Sequence, residues 1–340
     1  MKVLIAGLGS VGQRHAANLR TLCGDELDLL AFRVRREGRV ISLDHGARSG
    51  DPEEEYGIRS FDDLDEALAE QPDAVVVANP PAMHVPVALA GARAGCHLLV
   101  EKPLSHSEDG VEELIRTVEE RRVVCLVGYQ LRFHPGFRLL AELLEQEAVG
   151  RLLAAHFEFG EHVADWHPWE DFREGVSVNP AGGGVLLTQI HDLDVAYALF
   201  GLPRRVFAVG GARSSLGLEV EDTADVLLDG CAVPVHLHQD LLQRPPTRSY
   251  QVIGEEGKIS WDYHGGSLAL ARADGTVETT SFAAVRRNDL FLDELTHFLA
   301  CIDGRERPRV GVREGADTLR IALAARRSLE TGEPVTLVNA

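Results

Sequence analysis

Val3-Leu4-Ile5-Ala6-Gly7-Leu8-Gly9-Ser10-Val11-Gly12 is the stretch that decides the fold. Its first four residues are a short apolar run, the pattern of a strand buried on both faces. The run passes straight into Gly-x-Gly-x-x-Gly, and Val11 to Leu22 continues with helical spacing. Strand, glycine turn and helix in that order form the setting in which this triplet binds a dinucleotide. Gly7 permits the tight turn, Gly9 lets the backbone approach a pyrophosphate, and Gly12 lets helix and strand pack closely. Ser10 and Val11 then lie in the first helical turn, whose N–H groups and partial positive charge suit phosphates.

Outward from this motif the same alternation repeats. Strands are predicted at Leu27–Phe32, Ala74–Ala78, His97–Val100 and Val123–Gly128. Helices are predicted at Leu64–Glu70, Met83–Ala94 and 107–121. Regular strand–helix alternation implies a parallel, doubly wound sheet. After residue 128 the rhythm changes. A helix at Gly136–Glu147 and a strand at Leu152–Phe159 lead to a polar, aromatic loop over 161–180. A helix over Val185–Leu199 follows, then strands at 204–210, 222–228, 231–239, 248–254 and 257–262. Short turns such as Asp229-Gly230 make these an antiparallel sheet. The reading is therefore α/β: a dinucleotide-binding Rossmann domain over 1–127, and a substrate and oligomerisation domain over 128–340. Two last helices, about 290–301 and 313–331, are expected to pack back on the first domain.

Composition narrows the function classes. The 340 residues carry a formal net charge of −19, which argues against nucleic acid or an anionic membrane as partner. No apolar run approaches the ~20 residues of a membrane span. The chain opens directly on a strand, which predicts no secretory leader and a cytoplasmic protein. The five cysteines are scattered without CxxC spacing, so neither zinc nor a disulfide framework is expected. No metal is assigned, because the His and Asp residues of the 161–180 loop show no ligand spacing.

The end of the second strand selects the cofactor. An Asp or Glu there binds the ribose 2′-OH of NAD. This chain has Phe32-Arg33-Val34-Arg35-Arg36. Guanidinium groups suit a 2′-phosphate, so Arg33, Arg35 and Arg36 predict NADP, with NAD as the alternative. The opposing reading is a solvated arginine turn.

Lysine is scarce: of 34 basic residues only Lys2, Lys102 and Lys258 are lysine. Arginine keeps its proton in a protein, whereas burial can make lysine give its proton up. Lys102 stands at the end of His97-Leu98-Leu99-Val100, in Glu101-Lys102-Pro103, where open α/β sheets bind ligands. A chance surface lysine is the plain alternative. Asn79-Pro80-Pro81-Ala82-Met83-His84 ends another strand nearby, placing Asn79, Pro80 and His84 at the cofactor edge. His84 serves equally as a structural residue of the helix start.

These motifs occur in order with Gly128-Tyr129-Gln130-Leu131-Arg132-Phe133-His134-Pro135 and Gly182-Gly183-Gly184…His191-Asp192-Leu193-Asp194. The chain resembles the Gfo/Idh/MocA oxidoreductases over nearly its whole length. The resemblance implies a Rossmann domain followed by a domain with a large open antiparallel sheet. It also implies NAD(P)-dependent hydride transfer to or from a ring hydroxyl or carbonyl of a sugar, sugar nucleotide or cyclitol, in a homodimer or homotetramer. Asp165–Asp171, Leu187–His191 and Leu242–Pro246 resemble members associated with sialic-acid-like or surface-sugar biosynthesis.

Hydride transfer from an alcohol requires a base for its proton, and Lys102 and His191 are the candidates. Thr188, His191 and Asp194 fall at i, i+3, i+6 on the predicted helix. Many family members have an aspartate four residues before the histidine, where this chain has Leu187. Either Thr188 takes its place or Lys102 and His191 act without a carboxylate. Glu101 and Gln130 are assigned to the cofactor, and Arg132 to cofactor or substrate. Trp166 and Trp169 offer flat faces to sugar C–H groups, and Arg173 suits a phosphate or carboxylate. An aromatic-stapled structural loop is the competing account of 161–180. His236 and His238 are read as sheet-surface residues. Two other functions remain open: a cofactor-binding regulator without catalysis, and an imine or enone reductase of the same fold.

Overall fold

The computed structural model describes residues 1–34, 38–43 and 46–337. From the N-terminus the elements are β1 (Lys2–Ala6), α1 (Ser10–Cys23), β2 (Asp28–Phe32), β3 (Arg39–Ile41), β4 (Ala47–Ser49), α2 (Pro52–Tyr56) and β5 (Ile58–Phe61). Then come α3 (Leu64–Ala69), β6 (Ala74–Val77), α4 (His84–Ala94), β7 (His97–Glu101), α5 (Val111–Arg121) and β8 (Cys125–Gly128). Six strands form one sheet in the order β5-β2-β1-β6-β7-β8. Its pairs are parallel. The chain runs outward from β1 through β2 to β5, then returns to β1's other side with β6. That reversal puts a crevice at the carboxyl ends of β1 and β6.

The apolar runs become strands because both faces of the sheet are covered: Leu4, Ile5, Val75, Val76, Val77, Leu98, Leu99 and Val100 are all buried. β5, absent from the sequence reading, is short, and of its four residues Ile58 alone is buried. Asp51 and Asp63 start α2 and α3 by accepting from Glu53 N and Glu66 N at 2.9 Å. The helix expected over 107–121 starts at Val111, because Gly110 precedes it with φ 74°.

The second half contains α6 (Pro135–Glu145), β9 (Leu152–Gly160), α7 (Val185–Thr188), α8 (His191–Phe200), β10 (Arg205–Gly211), β11 (Thr223–Asp229) and β12 (Val235–Asp240). It continues with β13 (Thr247–Gly254), β14 (Gly257–Asp262), β15 (Ser267–Arg272) and β16 (Val277–Ser281). α9 (Arg287–Ile302), α10 (Val312–Thr331) and β17 (Val335–Thr336) close the chain. The nine-stranded sheet has the order β16-β15-β14-β13-β9-β12-β11-β10-β17. The expected all-antiparallel sheet is in fact mixed, since β9 and β12 pair in parallel. A parallel pair requires a long crossover, and the 74 residues 161–234 supply it. β13 alternates strictly between buried and half-exposed side chains, so one sheet face is core and the other is open.

The chain divides into two units: 1–130 with 287–316, and 131–286 with 317–340. The sequence reading set the second domain at 128–340, with the last two helices packing back on the first domain. In the structure α9 belongs to the first unit, since Leu295 and Phe298 share a buried cluster with Ile5, Leu19, Leu29 and Leu99. Among the described residues, no helix is long and apolar enough to cross a membrane.

Candidate functional site

In the first unit the glycines differ in what surrounds them. Gly7 has φ +98°, and a Cβ there would lie 2.9 Å from the Asn79 backbone. A Cβ on Gly12 would stand 1.9 Å from Gly7 O, so only glycine lets α1 sit this close to the turn. A Cβ on Gly9 would meet nothing within 4 Å. Gly9 is the N-cap of α1 and lends no side-chain cap, and the first turn holds no acidic residue. The opening N–H groups, Ser10 and Val11 included, are therefore without a capping side chain or an opposing carboxylate in the first turn. Asn79 Oδ1, at the end of β6, is buried without a hydrogen-bond partner among the described residues. An orphan acceptor beside an uncapped helix start fits a polyhydroxylated diphosphate.

The β2 end differs from expectation. Arg33 is 6 % exposed, with Nη1 3.3 Å from Glu53 Oε1 on α2. Its backbone N–H donates to Phe61 O at 3.0 Å. Arg33 is neither a solvated turn residue nor a guanidinium offered wholly to a ligand. Arg35 and Arg36 lie outside the described residues.

His84 joins the two turns at the crevice. Its Nε2 lies 2.7 Å from Asn79 O and its Nδ1 2.8 Å from Pro103 O. Burial pushes the imidazole below its ordinary value, although both carbonyls favour the protonated ring. Of the two readings given to His84, the observed hydrogen bonds are those of a structural brace. Pro80 precedes the turn whose residue Pro81 is buried. Lys102 is half-buried and directly follows β7. Glu101, assigned to the cofactor, instead turns inward: its Oε1 is 2.7 Å from His15 Nε2 on α1. Its Oε2 accepts from Lys102 N at 3.3 Å. Burial works to raise the Glu101 carboxyl, yet His15, Lys102 and His84 together hold it below its ordinary value. Gln130 is buried in a short turn over Gln130–Phe133.

In the second unit, the predicted helix over Val185–Leu199 is broken. α7 ends at Thr188, Gln189 turns away with φ −106° and ψ 37°, and α8 restarts at His191. His191 is therefore the first residue of a helix, buried, and does not share a helical face with Thr188. Thr188 Oγ1 donates to Ser177 O at 3.2 Å, tying α7 to the preceding loop. Leu187 is fully buried. Gly183 allows the loop to close, since a Cβ there would stand 2.6 Å from Ser177 O.

The break is held by a buried polar network that the sequence reading missed. Asp192 Oδ1 accepts from Tyr250 Oη at 2.5 Å and faces Arg248 Nε at 3.4 Å. Its Oδ2 accepts from Gln239 Nε2 at 3.2 Å. Arg248 Nη2 donates to Gln189 Oε1 at 2.8 Å, and Gln239 Nε2 donates to Gln189 O at 2.5 Å. Burial raises the Asp192 carboxyl and outweighs Arg248, Tyr250 and Gln239, which lower it. One signal was available. Arg248 shares its strand parity with the buried Tyr250 and Val252, and an arginine on a core face demands a buried carboxylate.

The remaining candidates are engaged locally. Arg132 grips Asp194 with two bonds, Nε to Oδ2 at 2.7 Å and Nη2 to Oδ1 at 2.9 Å. Asp194 is fully buried, so Arg132 acts as an anchor for α8 rather than as an open ligand group. Trp166 Nε1 donates to Glu161 Oε2 at 2.8 Å. His167 packs tilted beside Trp169, 5.2 Å between ring centres, and lies 2.9 Å from Glu170. Arg173 is exposed, 3.4 Å from Asp171 and over the Phe172 ring. Arg244 clamps Asp165 through two 2.6 Å bonds, which link the 161–180 loop to 242–246. Among the described residues no cluster of three or more His, Cys, Asp or Glu is arranged to hold a metal.

Comparison with known proteins agrees with this geometry. Residues 1–129 match the model for the Gfo/Idh/MocA oxidoreductase family, NAD-binding Rossmann fold. Residues 137–260 match the model for the C-terminal domain of the same family. The chain is 27% identical to a myo-inositol 2-dehydrogenase of Thermotoga maritima, over 99% of this chain and 98% of that protein. It is 27% identical to an NADP(+)-dependent D-xylose 1-dehydrogenase of Haloferax volcanii, over 88% and 92%. A Bordetella pertussis dehydrogenase, WlbA, solved with NADH and UDP-GlcNAcA, superposes with a TM-score of 0.80 at 20% identity, over 100% and 98%.

Proposed function

This chain belongs to the Gfo/Idh/MocA family of NAD-binding oxidoreductases, and on that premise we propose that it moves a hydride between nicotinamide and a ring hydroxyl or carbonyl of a sugar, sugar nucleotide or cyclitol. The observation that carries this reading is Lys102. It directly follows β7, in the sheet order β1-β6-β7, beside the turn that His84 ties to Asn79. The nicotinamide supplies or takes up the hydride when bound. Gly9 and the start of α1 would hold its pyrophosphate, and Asn79 Oδ1 would accept from a ribose hydroxyl. Lys102 takes the alcohol proton in oxidation and returns it in reduction. His191, at the opening of α8, orients the substrate hydroxyl or relays its proton.

The cofactor preference is NADP(H). It is supported by the residue after β2, an arginine where NAD enzymes place a carboxylate. Glu53 already takes part of the Arg33 charge, so the rest of the 2′-phosphate site falls to Arg35 and Arg36. The affinity ratio for NADPH over NADH tests this, and a ratio below one overturns it. The oligomer is a homodimer or homotetramer through the open face of the nine-stranded sheet. Val209 and Leu227 are exposed on that face, 52% and 49%. A monomer in light scattering overturns this assembly.

The reaction is tested by nicotinamide absorbance against free sugars, inositols and nucleotide sugars, with Lys102→Met alongside. Turnover in the wild type and none in the variant, with cofactor affinity kept within a few-fold, is the expected result. Near-normal turnover in Lys102→Met removes the lysine from the mechanism. Cofactor binding without any turnover favours the regulatory reading.

A further inference from the structure

The nine-stranded sheet ends in two edges of different kinds. β17, at one end, is only Val335–Thr336. β16, at the other, runs Val277–Ser281 without a proline, a lysine or a register shift against β15. Folded proteins blunt an exposed edge with such devices or keep it short, because its free N–H and C=O groups recruit another strand. Every residue of β16 is exposed, so nothing among the described residues covers it. The ladder with β15 decides which of its backbone groups are free. Arg272 N donates to Thr276 O at 2.9 Å, and Phe282 N donates to Gly266 O at 2.6 Å. Both pairs continue the register of β15 with β16, and in an antiparallel ladder hydrogen-bonded pairs alternate with unbonded ones. Glu278 and Thr280 therefore turn their backbone groups to β15, whereas Val277, Thr279 and Ser281 turn theirs outward.

We propose that β16 is a self-pairing edge, at which two copies of this chain join antiparallel about a two-fold axis through Thr279 and continue one sheet into the other. In that register Thr279 of one copy faces Thr279 of the other, and Val277 faces Ser281. Every outward residue then meets an outward residue, and each such pair exchanges two N–H···O bonds. A slip of one residue would set outward groups against inward ones, and a slip of two would lose a pair at the end. The side chains suit the same register. Threonine faces threonine at the axis, a favourable cross-strand pair, and Val277, Thr279 and Thr280 favour strand. Glu278 lies opposite Thr280, so no like charges meet directly. The two Glu278 side chains are diagonal neighbours, and each is paired with its own Arg272. An edge of five residues falls short of the ~1,000 Å² of a stable interface, so it acts as a second contact that joins dimers already held through the open sheet face. The inference rests on that open-face reading for its first contact, and it makes the assembly a homotetramer rather than a homodimer.

Light scattering and residue-resolved hydrogen exchange on the full chain test it, with no need of substrate or cofactor. Thr279→Pro removes an N–H that points away from β15, so it keeps that ladder and blocks the pairing. Thr279→Lys sets two cations against each other at the two-fold axis. The expected result is a tetramer in the wild type and a dimer, half the mass, in both variants. The Val277 and Ser281 amides should exchange about tenfold or more slowly in the wild type than in either variant. A wild-type dimer, or a tetramer that neither variant splits, overturns the inference and leaves the open-face assembly standing. A monomer overturns both. If neither variant folds, exchange in the wild type decides: slow exchange at Val277 and Ser281 upholds the pairing, and exchange at the rate of an open chain overturns it.

Discussion

The Tyr250 hydroxyl donates to Asp192 Oδ1 at 2.5 Å, across 58 residues of sequence, and both side chains are fully buried. The bond ties β13 of the sheet to the first turn of α8, one residue after His191. The break that places His191 at a helix start is thus fixed from the sheet side. Tyr250→Phe should cost about 1–3 kcal/mol in urea unfolding, the penalty for an unsatisfied buried acceptor. Asp192→Asn should cost more, about 3–5 kcal/mol, because the buried Arg248 then loses the first of its two counter-charges, Asp192 and Glu161. Equal losses in the two variants would mean that Arg248 is not balanced by Asp192.

The glycines of the cradle should separate folding from binding. Gly12→Ala forces a Cβ to 1.9 Å from Gly7 O and should unfold or rearrange the β1–α1 turn. Gly9→Ala meets nothing within 4 Å and should fold normally. Its melting temperature without cofactor should stay within about 2 °C of wild type. Its NADPH affinity should fall by about tenfold, or ~1.4 kcal/mol, as the methyl occupies the pyrophosphate approach. Unchanged affinity would place the cofactor elsewhere.

Glu53 should tune cofactor choice without touching the cofactor. Removing its charge in Glu53→Gln takes a competing anion from Arg33, 3.3 Å away. The NADPH-over-NADH affinity ratio should rise by about two- to fivefold, the scale of a partly exposed ion pair. A ratio that falls would assign Arg33 a purely structural role.

On the open sheet face, His238 lies 2.9 Å from Asp225 and 3.0 Å from Asp240. Asp240 first, then Asp225, holds its imidazole up to about 9 against the effect of partial burial. The folded value is raised above the unfolded ~6.5, so the stabilisation is complete below that pH and is lost as pH rises towards 9. His238→Gln should therefore cost stability at pH ~6 and little at pH ~9.5, measured by urea unfolding. Equal losses at both pH values would show that the ring is not charged.

Leu187 marks where this chain departs from the family pattern. The side chain is fully buried, so Leu187→Asp should not rebuild a relay. It should destabilise the protein by about 3–5 kcal/mol, as an uncompensated buried charge does. Wild-type stability together with higher turnover would show that α7 can turn this position towards the substrate.

The sequence by itself determined the parallel sheet, the cofactor turn and Lys102 at the end of β7. Each is local: an apolar run, a glycine triplet or a strand end lies within a dozen residues, and its period can be read directly. The mixed character of the second sheet was not legible, because pairing β9 with β12 depends on how a long crossover packs. Nor was the break between α7 and α8, since 185–199 has unbroken helical spacing. Gln239, Arg248 and Tyr250, 47 to 59 residues from their partners around α8, decide that break. Tertiary structure alone also turned Arg33 to Glu53, Glu101 to His15 and Arg132 to Asp194. A charged residue beside a cofactor motif reads the same in sequence whether it meets a ligand or a buried counter-charge. Its partner is fixed by the need to neutralise charge inside the fold, and that depends on which distant segments are brought together.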